Sequence, residues 1–292
     1  MPLESHPSVV VRPATAYDVA ACAAICFEAF RSISEAHGFP CDFPHPDATL
    51  GVIGMMFSHP DSFYAVVAEY GGRVVGSNIL DERSVICGVG PITVDPAVQN
   101  LGVGRLLMQA VMERAAQRNA LGVRLVQAPF HNRSLSLYTR LGFDVREPLA
   151  CMRGQTRERT IPGCTVRPAT PNDLPACNAI AHRVHGFDRG ADLAQSIHQG
   201  TALVVERAGR VTGYSSHLAF FGHSTAETTI DLQAIIASVD SFAGPGILVP
   251  SRNSELFRWC LDNGLRVVQP LTLMSYGFYN EPSGAFLPSI LF

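Results

Sequence analysis

The sequence predicts an α/β fold with a mixed sheet of the α+β kind, laid down in two copies. Three observations point there. A β-branched strand ending at Val94 is broken by Asp95-Pro96 and leads through Gln99-Asn100-Leu101-Gly102-Val103-Gly104 into a segment with apolar residues at Val103, Leu107, Ala110 and Val111, the spacing of a helix. Strand-like and helix-like segments then alternate as far as Phe143. Finally, Val11-Arg12-Pro13-Ala14-Thr15 returns as Val166-Arg167-Pro168-Ala169-Thr170, with ten identities in fifteen positions at a constant offset of 155. Self-similarity of this kind means two copies of one fold.

Length and composition narrow the classes. A chain of 292 residues suggests one large or two moderate domains, each able to bury a real core. A formal net charge of −3 gives no electrostatic case for nucleic acid or an anionic membrane as partner. All 22 basic residues are arginines, which excludes a lysine Schiff base and a P-loop lysine. Eight cysteines without a C-x-x-C pair indicate neither a disulfide framework nor a zinc ribbon. The start of the chain lacks a basic region followed by an apolar core, and no apolar run approaches membrane-spanning length. The expectation is a reduced, soluble, cytoplasmic protein that holds no metal.

Taken in order, residues 1–8 read as a disordered lead and Val9 to Arg12 as a short strand ended by Pro13. Thr15 can cap a helix with Val19, Cys22, Ile25, Cys26 and Phe30 on its apolar face. His37 to Asp47 is a loop rich in proline and aromatics, and Leu50 to Phe57 is helical again. Ser62 to Glu69 and Arg73 to Leu80 form a hairpin turning at Gly71-Gly72. Asp81-Glu82-Arg83 is a charged turn before a strand from Ser84 to Val94, in which Gly88, Gly90 and Pro91 call for a bulge or a loss of pairing. Leu121 to Gln127 is the next strand, Gly142 a left-handed helix cap and Phe143 to Met152 the returning strand. A turn with two glycines directly before a helix suits an anion such as a pyrophosphate. The backbone N–H groups point outward there, and the positive end of the helix dipole adds to them.

Gln99, Gly102 and Gly104, followed by Asn132, Tyr138, Gly142 and Phe143, resemble the Gcn5-related N-acetyltransferases (GNAT), whose acetyl-CoA loop reads Q/R-x-x-G-x-G/A. The six-residue loop alone is a weak signal; with the Asn-Tyr-Gly-Phe segment at this separation it is strong. The resemblance implies transfer of an acetyl group from acetyl-CoA to a primary amine by direct attack in a ternary complex. It assigns the cofactor to Gln99, Asn100, Leu101, Gly102, Val103, Gly104 and Arg105, to backbone near Ile92, Thr93 and Val94, and to Asn132, which could also cap its helix. It places a general acid at Tyr138 and an acceptor beneath the connection between the first two helices. Phe30, Phe39, Asp42 and Phe43 are therefore pocket candidates, against the alternative of a proline-stiffened surface loop. The base is the open question: the family's strand glutamate aligns with Gly88, so Asp81 and Glu82 are the nearest acids, acting directly or through water, unless the turn is merely solvated. Cys87 as an acyl-accepting nucleophile and His182 with His185 as metal ligands are weaker readings.

The domains expected are 1–153, catalytic; 154–163, a linker; and 164–292, a degenerate copy without the cofactor loop. In the second copy Asn253 to Gly264 echoes Asn132 to Gly142 with one residue more, and Cys260 stands where the first has Tyr138. The apolar close Gly284 to Phe292 is expected to be buried against the N-terminal copy or across a homodimer interface. A non-catalytic acyl-CoA-binding module and an aminoacyl or longer-acyl transferase are the alternative functions.

Overall fold

The structure is a computed structural model that describes residues 8–291. The expected lead, residues 1–8, falls almost wholly outside this range, as does Phe292. The chain divides into two compact units, one of the residues to Glu82 with Cys87–Val123, the other of Arg83–Ile86 with the chain from Arg124 onward.

In the first unit β1 (Val10–Pro13) is followed by α1 (Val19–Ala36) and α2 (Pro46–Phe57). Helix α2 begins inside the expected loop because Pro46 sits in its first turn, where a missing N–H costs nothing. β2 (Phe63–Tyr70), β3 (Arg73–Asp81), β4 (Ile86–Val89), β5 (Thr93–Val94) and α3 (Val103–Gln117) complete it. The strands β1, β2 and β3 pair antiparallel in that order. Strand β3 is covered on both faces: Ser77 hydrogen-bonds the Cys22 thiol of α1, while its neighbour Asn78 donates to the Leu107 carbonyl of α3 at 3.3 Å. The core of the unit includes Cys22, Cys26, Ile53, Met56, Ile79, Leu107 and Val111, all fully buried.

The chain crosses between units within β6 (Gly122–Gln127). The second unit continues with α4 (Asn132–Arg140), β7 (Asp144–Arg153), β8 (Cys164–Pro168), α5 (Leu174–His185), α6 (Gly190–His198), β9 (Leu203–Arg207), β10 (Arg210–Ser215) and β11 (Ser224–Ala226). Then come α7 (Thr229–Ala237), β12 (Ile247–Pro250), α8 (Ser254–Asp262), β13 (Arg266–Gly277) and β14 (Ala285–Leu287). Five strands form a sheet in the order β8-β9-β10-β11-β14. Elsewhere β7 lies antiparallel between β12 and β13, with Met152 opposite Ile247 on one side and Val267 on the other. Both neighbours of the first copy's last strand thus come from the second copy, so compactness divides the chain elsewhere than repetition does.

The repeated VRPAT segment has a structural reason in each unit. Thr15 and Asp18 form a capping box, and Arg12 bridges Asp18 at 2.8 Å and Glu69 at 2.6 Å. Thr170 and Asp173 repeat the box, and Arg167 bridges Asp173 at 2.8 Å and Glu206 at 2.7 Å. The bond from Arg12 holds Asp18 down at about 2, and that from Arg167 lowers Asp173 in the same way. The identities mark a clasp tying the first strand to the start of the first helix.

The described part of the apolar tail is buried: β14 pairs with β11 from Ala285 opposite Ala226 to Leu287 opposite Ser224, and Ala285 and Leu287 share a core cluster with Ala150 and Met152 of the first copy. In the expected linker the Arg157 and Glu158 amides donate to the Asn263 carbonyl and side chain, and Trp259 donates to Glu158 at 3.0 Å.

Candidate active site

The glycine-rich loop is held from below by Asp95. Its carboxylate accepts the Ala97 amide at 2.9 Å and Arg73 at 2.7 Å, which starts a 3₁₀ turn over Pro96–Val98. The loop then takes two left-handed residues, Asn100 and Gly102, each with φ of 77°. Asparagine tolerates that conformation and glycine is at ease in it. Gly102 is the residue before α3, and the N–H groups of Arg105 and Leu106 already return to its carbonyl. The first turn of α3 holds no acidic residue, so the positive end of the dipole is not neutralised locally. Gln99, Asn100, Leu101, Gly102 and Arg105 are exposed, Gly104 is half-buried, and Val103 anchors the turn in the core.

The interrupted strand behaves as its glycines and proline demanded. Val89 pairs with Leu80 and Thr93 with Ser77, so four steps along this strand span three along β3. One residue is extra: the Gly90 N–H still donates to the Ile79 carbonyl at 2.9 Å, and Pro91 and Ile92 leave the ladder. Gly76 makes the re-entry of β5 possible, since a Cβ on it would stand 2.7 Å from the Thr93 carbonyl oxygen. Ile92 and Val94 are half-buried and Thr93 is buried.

Asp81 and Glu82 do not sit in a solvated turn; they are 9% and 4% exposed. Glu82 is gripped at 2.7 Å by Arg114, in the last turn of α3, and at 3.1 Å by Arg118, the residue that caps its C-terminus. Cys87 is buried, which pushes its thiol up to about 11 and leaves little thiolate at neutral pH. In the α1–α2 connection Phe30 and Phe43 meet edge to face with centroids 5.4 Å apart, Phe43 is buried, and Phe39 and Asp42 are half-buried.

In the second unit Tyr138 lies on the buried side of α4, against Phe143 at 6.2 Å. Burial pushes its phenol up to about 12, opposed in part by a hydrogen bond with Ser134 one turn earlier. The helix cap is His131, whose Nδ1 accepts the Ser134 N–H at 3.1 Å; Asn132 is the exposed first residue of the helix. In the second copy Asn253 is the cap and accepts the Leu256 N–H at 3.1 Å. Eleven residues lead from each cap to a left-handed glycine, Gly142 or Gly264. The one-residue difference inferred from Asn132 therefore disappears, and the position matching Asn253 is His131. His182 and His185 part company: the first is exposed 3.6 Å from Asp188, the second buried against Thr225, Phe187 and Phe286.

These features meet those of known proteins. Residues 28–143 match the family model described as the Acetyltransferase (GNAT) family. A comparison with curated proteins finds no match. Among solved structures, a candidate acetyltransferase from Pyrococcus horikoshii is similar over 98% of this chain and 96% of its own, with a TM-score of 0.67 and 17% identity. A GCN5-related N-acetyltransferase from Sphaerobacter thermophilus covers 94% and 98% respectively, at a TM-score of 0.61 and 16% identity. A tandem GNAT protein of the clavulanic acid biosynthesis pathway covers 92% and 98%, at 0.53 and 12%. At such identities the likeness is one of fold, and the fold is the tandem GNAT one.

Proposed function

We propose that the chain is an N-acetyltransferase that moves the acetyl group of acetyl-CoA to the primary amine of a small acceptor. The reading rests most heavily on the α3 entry, where a left-handed glycine and an acid-free first turn suit a pyrophosphate. In the proposed reaction the neutral amine nitrogen attacks the thioester carbonyl carbon, aligned by backbone at Ile92, Thr93 and Val94. The carbon–sulfur bond breaks and the Tyr138 phenol gives its proton to the departing thiolate. Its raised pKa supports this role, because the group stays protonated at any neutral pH. The amine proton leaves to Asp81 or through water to solvent. Glu82 is the poorer choice, since both its oxygens already face guanidinium groups. Phe30, Phe39, Asp42 and Phe43 are proposed to shape the acceptor side, and Asn132 to contact the cofactor.

Calorimetric titration with coenzyme A tests the reading. The wild-type chain should bind one equivalent, and Gly104→Glu should bind none while keeping its circular dichroism spectrum. Equal affinity in the two proteins would remove the pyrophosphate site from the α3 entry.

A further inference from the structure

Gln127 closes β6 and is 6% exposed, yet neither its Oε1 nor its Nε2 has a hydrogen-bond partner. Flipping the amide changes nothing, because both ends are bare. A carboxamide brings two N–H donors and an oxygen with two lone pairs, so this is a full set of buried polar capacity left unused. The strand alternation puts Gln127 on one face with Val123 and Leu125, which are 4% and 2% exposed. On folding grounds alone an aliphatic residue belongs there.

The second copy has that aliphatic residue. Counting four residues back from the helix cap leads from His131 to Gln127 and from Asn253 to Val249. Val249 is fully buried and packs in one apolar cluster with Ile247, Leu256 and Cys260. Thus the copy that carries the glycine-rich loop has an unsatisfied amide at this position, and the copy without the loop has methyl groups.

We infer that Gln127 is a ligand-reading residue whose carboxamide pairs with a secondary amide of a bound small molecule. A secondary amide in its usual trans form presents its N–H and its carbonyl on opposite sides, so the carboxamide of Gln127 meets either one: its oxygen accepts the N–H, or its Nε2 donates to the carbonyl. Such a group has two sources: the pantetheine arm of acetyl-CoA, which contains two, or a peptide-like acceptor. The choice between these sources rests on the acetyl-transfer reading above, whereas the bare amide of Gln127 does not. Gln127 forms and breaks no bond; it orients what binds and discriminates against analogues lacking the amide.

The test uses the full chain with Gln127→Met, unbranched and of similar volume, and Gln127→Leu. Three quantities are measured: the thermal midpoint, calorimetric affinity for coenzyme A and for adenosine 3′,5′-bisphosphate, and thiol release from acetyl-CoA with a panel of amines and aminoacyl amides. The thermal midpoint should stay or rise, since a bare polar group is replaced by an apolar one. If pantetheine supplies the amide, affinity for coenzyme A falls by about tenfold or more while the bisphosphate, which has no amide, binds as before. If the acceptor supplies it, coenzyme A affinity holds and kcat/KM for the amide-bearing acceptors falls on that scale instead. Unchanged affinity and unchanged kcat/KM in both variants would overturn the inference, as would a fall in thermal midpoint with binding intact, which would make Gln127 part of the core. Failure of the acetyl-transfer reading shows separately, as a wild-type chain that does not bind coenzyme A; the pantetheine source falls with it.

Discussion

The two copies kept the same clasp and diverged at the same helix entry. Arg12 with Asp18 and Glu69, and Arg167 with Asp173 and Glu206, hold strand to helix with closely matched distances. At the helix after the hairpin the likeness stops. Helix α3 opens behind left-handed Gly102 with no acid in its first turn, whereas α7 opens behind Thr228 with Asp231 at its third position. Thr228 accepts the Asp231 N–H, and Asp231 takes the Thr228 amide at 3.2 Å and Arg207 at 2.9 Å. Burial opposes the charge on Asp231, but the bonds from Arg207, Thr228 and Thr212 outweigh it and lower its pKa. The second copy thus seals its helix start with its own carboxylate, at the point where the first turn of α3 holds no acid.

The comparison breaks most visibly at Tyr138 and Cys260, which share one register in α4 and α8. Tyr138→Phe keeps the ring against Phe143 and removes only the hydroxyl. Turnover should fall on the order of 10²-fold or more with coenzyme A affinity unchanged, whereas Cys260→Ala should leave turnover as it was. Equal turnover in Tyr138→Phe would reduce both residues to packing. Alkaline titration adds a check of sign. Because the folded-state pKa of Tyr138 is raised to about 12, its contribution to stability is intact below pH ~10 and is lost as pH rises from there through 12. Tyr138→Phe should flatten that part of the stability curve.

A smaller effect sharpens the contrast at the helix entries. Thr228→Ala removes a capping side chain and should cost about 1 kcal/mol of stability, seen as a lower urea midpoint. It should not create a second coenzyme A site, because Asp231 still occupies the helix start. Stoichiometry rising from one to two per chain would show that Asp231 does not close the second copy.

Local chemistry was legible where the reason for a residue was local. The repeat offset, the hairpin turns, the left-handed Gly142 and the break at Gly90-Pro91 follow from propensity and could be placed from letters alone. Whether Asp81 and Glu82 sit in a solvated turn was not legible, because their burial depends on contacts distant in sequence; for Glu82 these are Arg114 and Arg118, some thirty residues away. The exchange of strand partners around β7 is non-local in the same sense, and pattern reading assigned β7 to the copy that encodes it. The cap at His131 was missed for a different reason. Histidine is not a usual cap, so Asn132 took the role by residue type, although counting back from Gly142 and Gly264 would have lined up His131 with Asn253. The bare amide of Gln127 had a legible clue too: a glutamine in phase with Val123 and Leu125 is out of place on a buried strand face.

The smallest expected effect concerns the clasp itself, and it tests whether the two copies are equivalent where they look alike. Arg12→Gln and Arg167→Gln each remove a guanidinium that is about one-third exposed, from ion pairs in which only the aspartate is buried. Screening by solvent keeps the loss modest, about 0.5–1 kcal/mol at neutral pH and low salt for each variant. The sign of the pH dependence follows from Asp18 and Asp173, whose pKa values are depressed in the folded chain. Their stabilisation is present above the unfolded aspartate value near 4 and disappears as pH falls through the folded one, about 2 for Asp18. Urea midpoints of the wild type and Arg12→Gln should therefore converge below roughly pH 2, and those of Arg167→Gln at a similar or lower pH. Two separate unfolding steps, with each variant moving only one, would show that the units melt independently. A single step shifted alike by both would show that the clasps stabilise one cooperative structure.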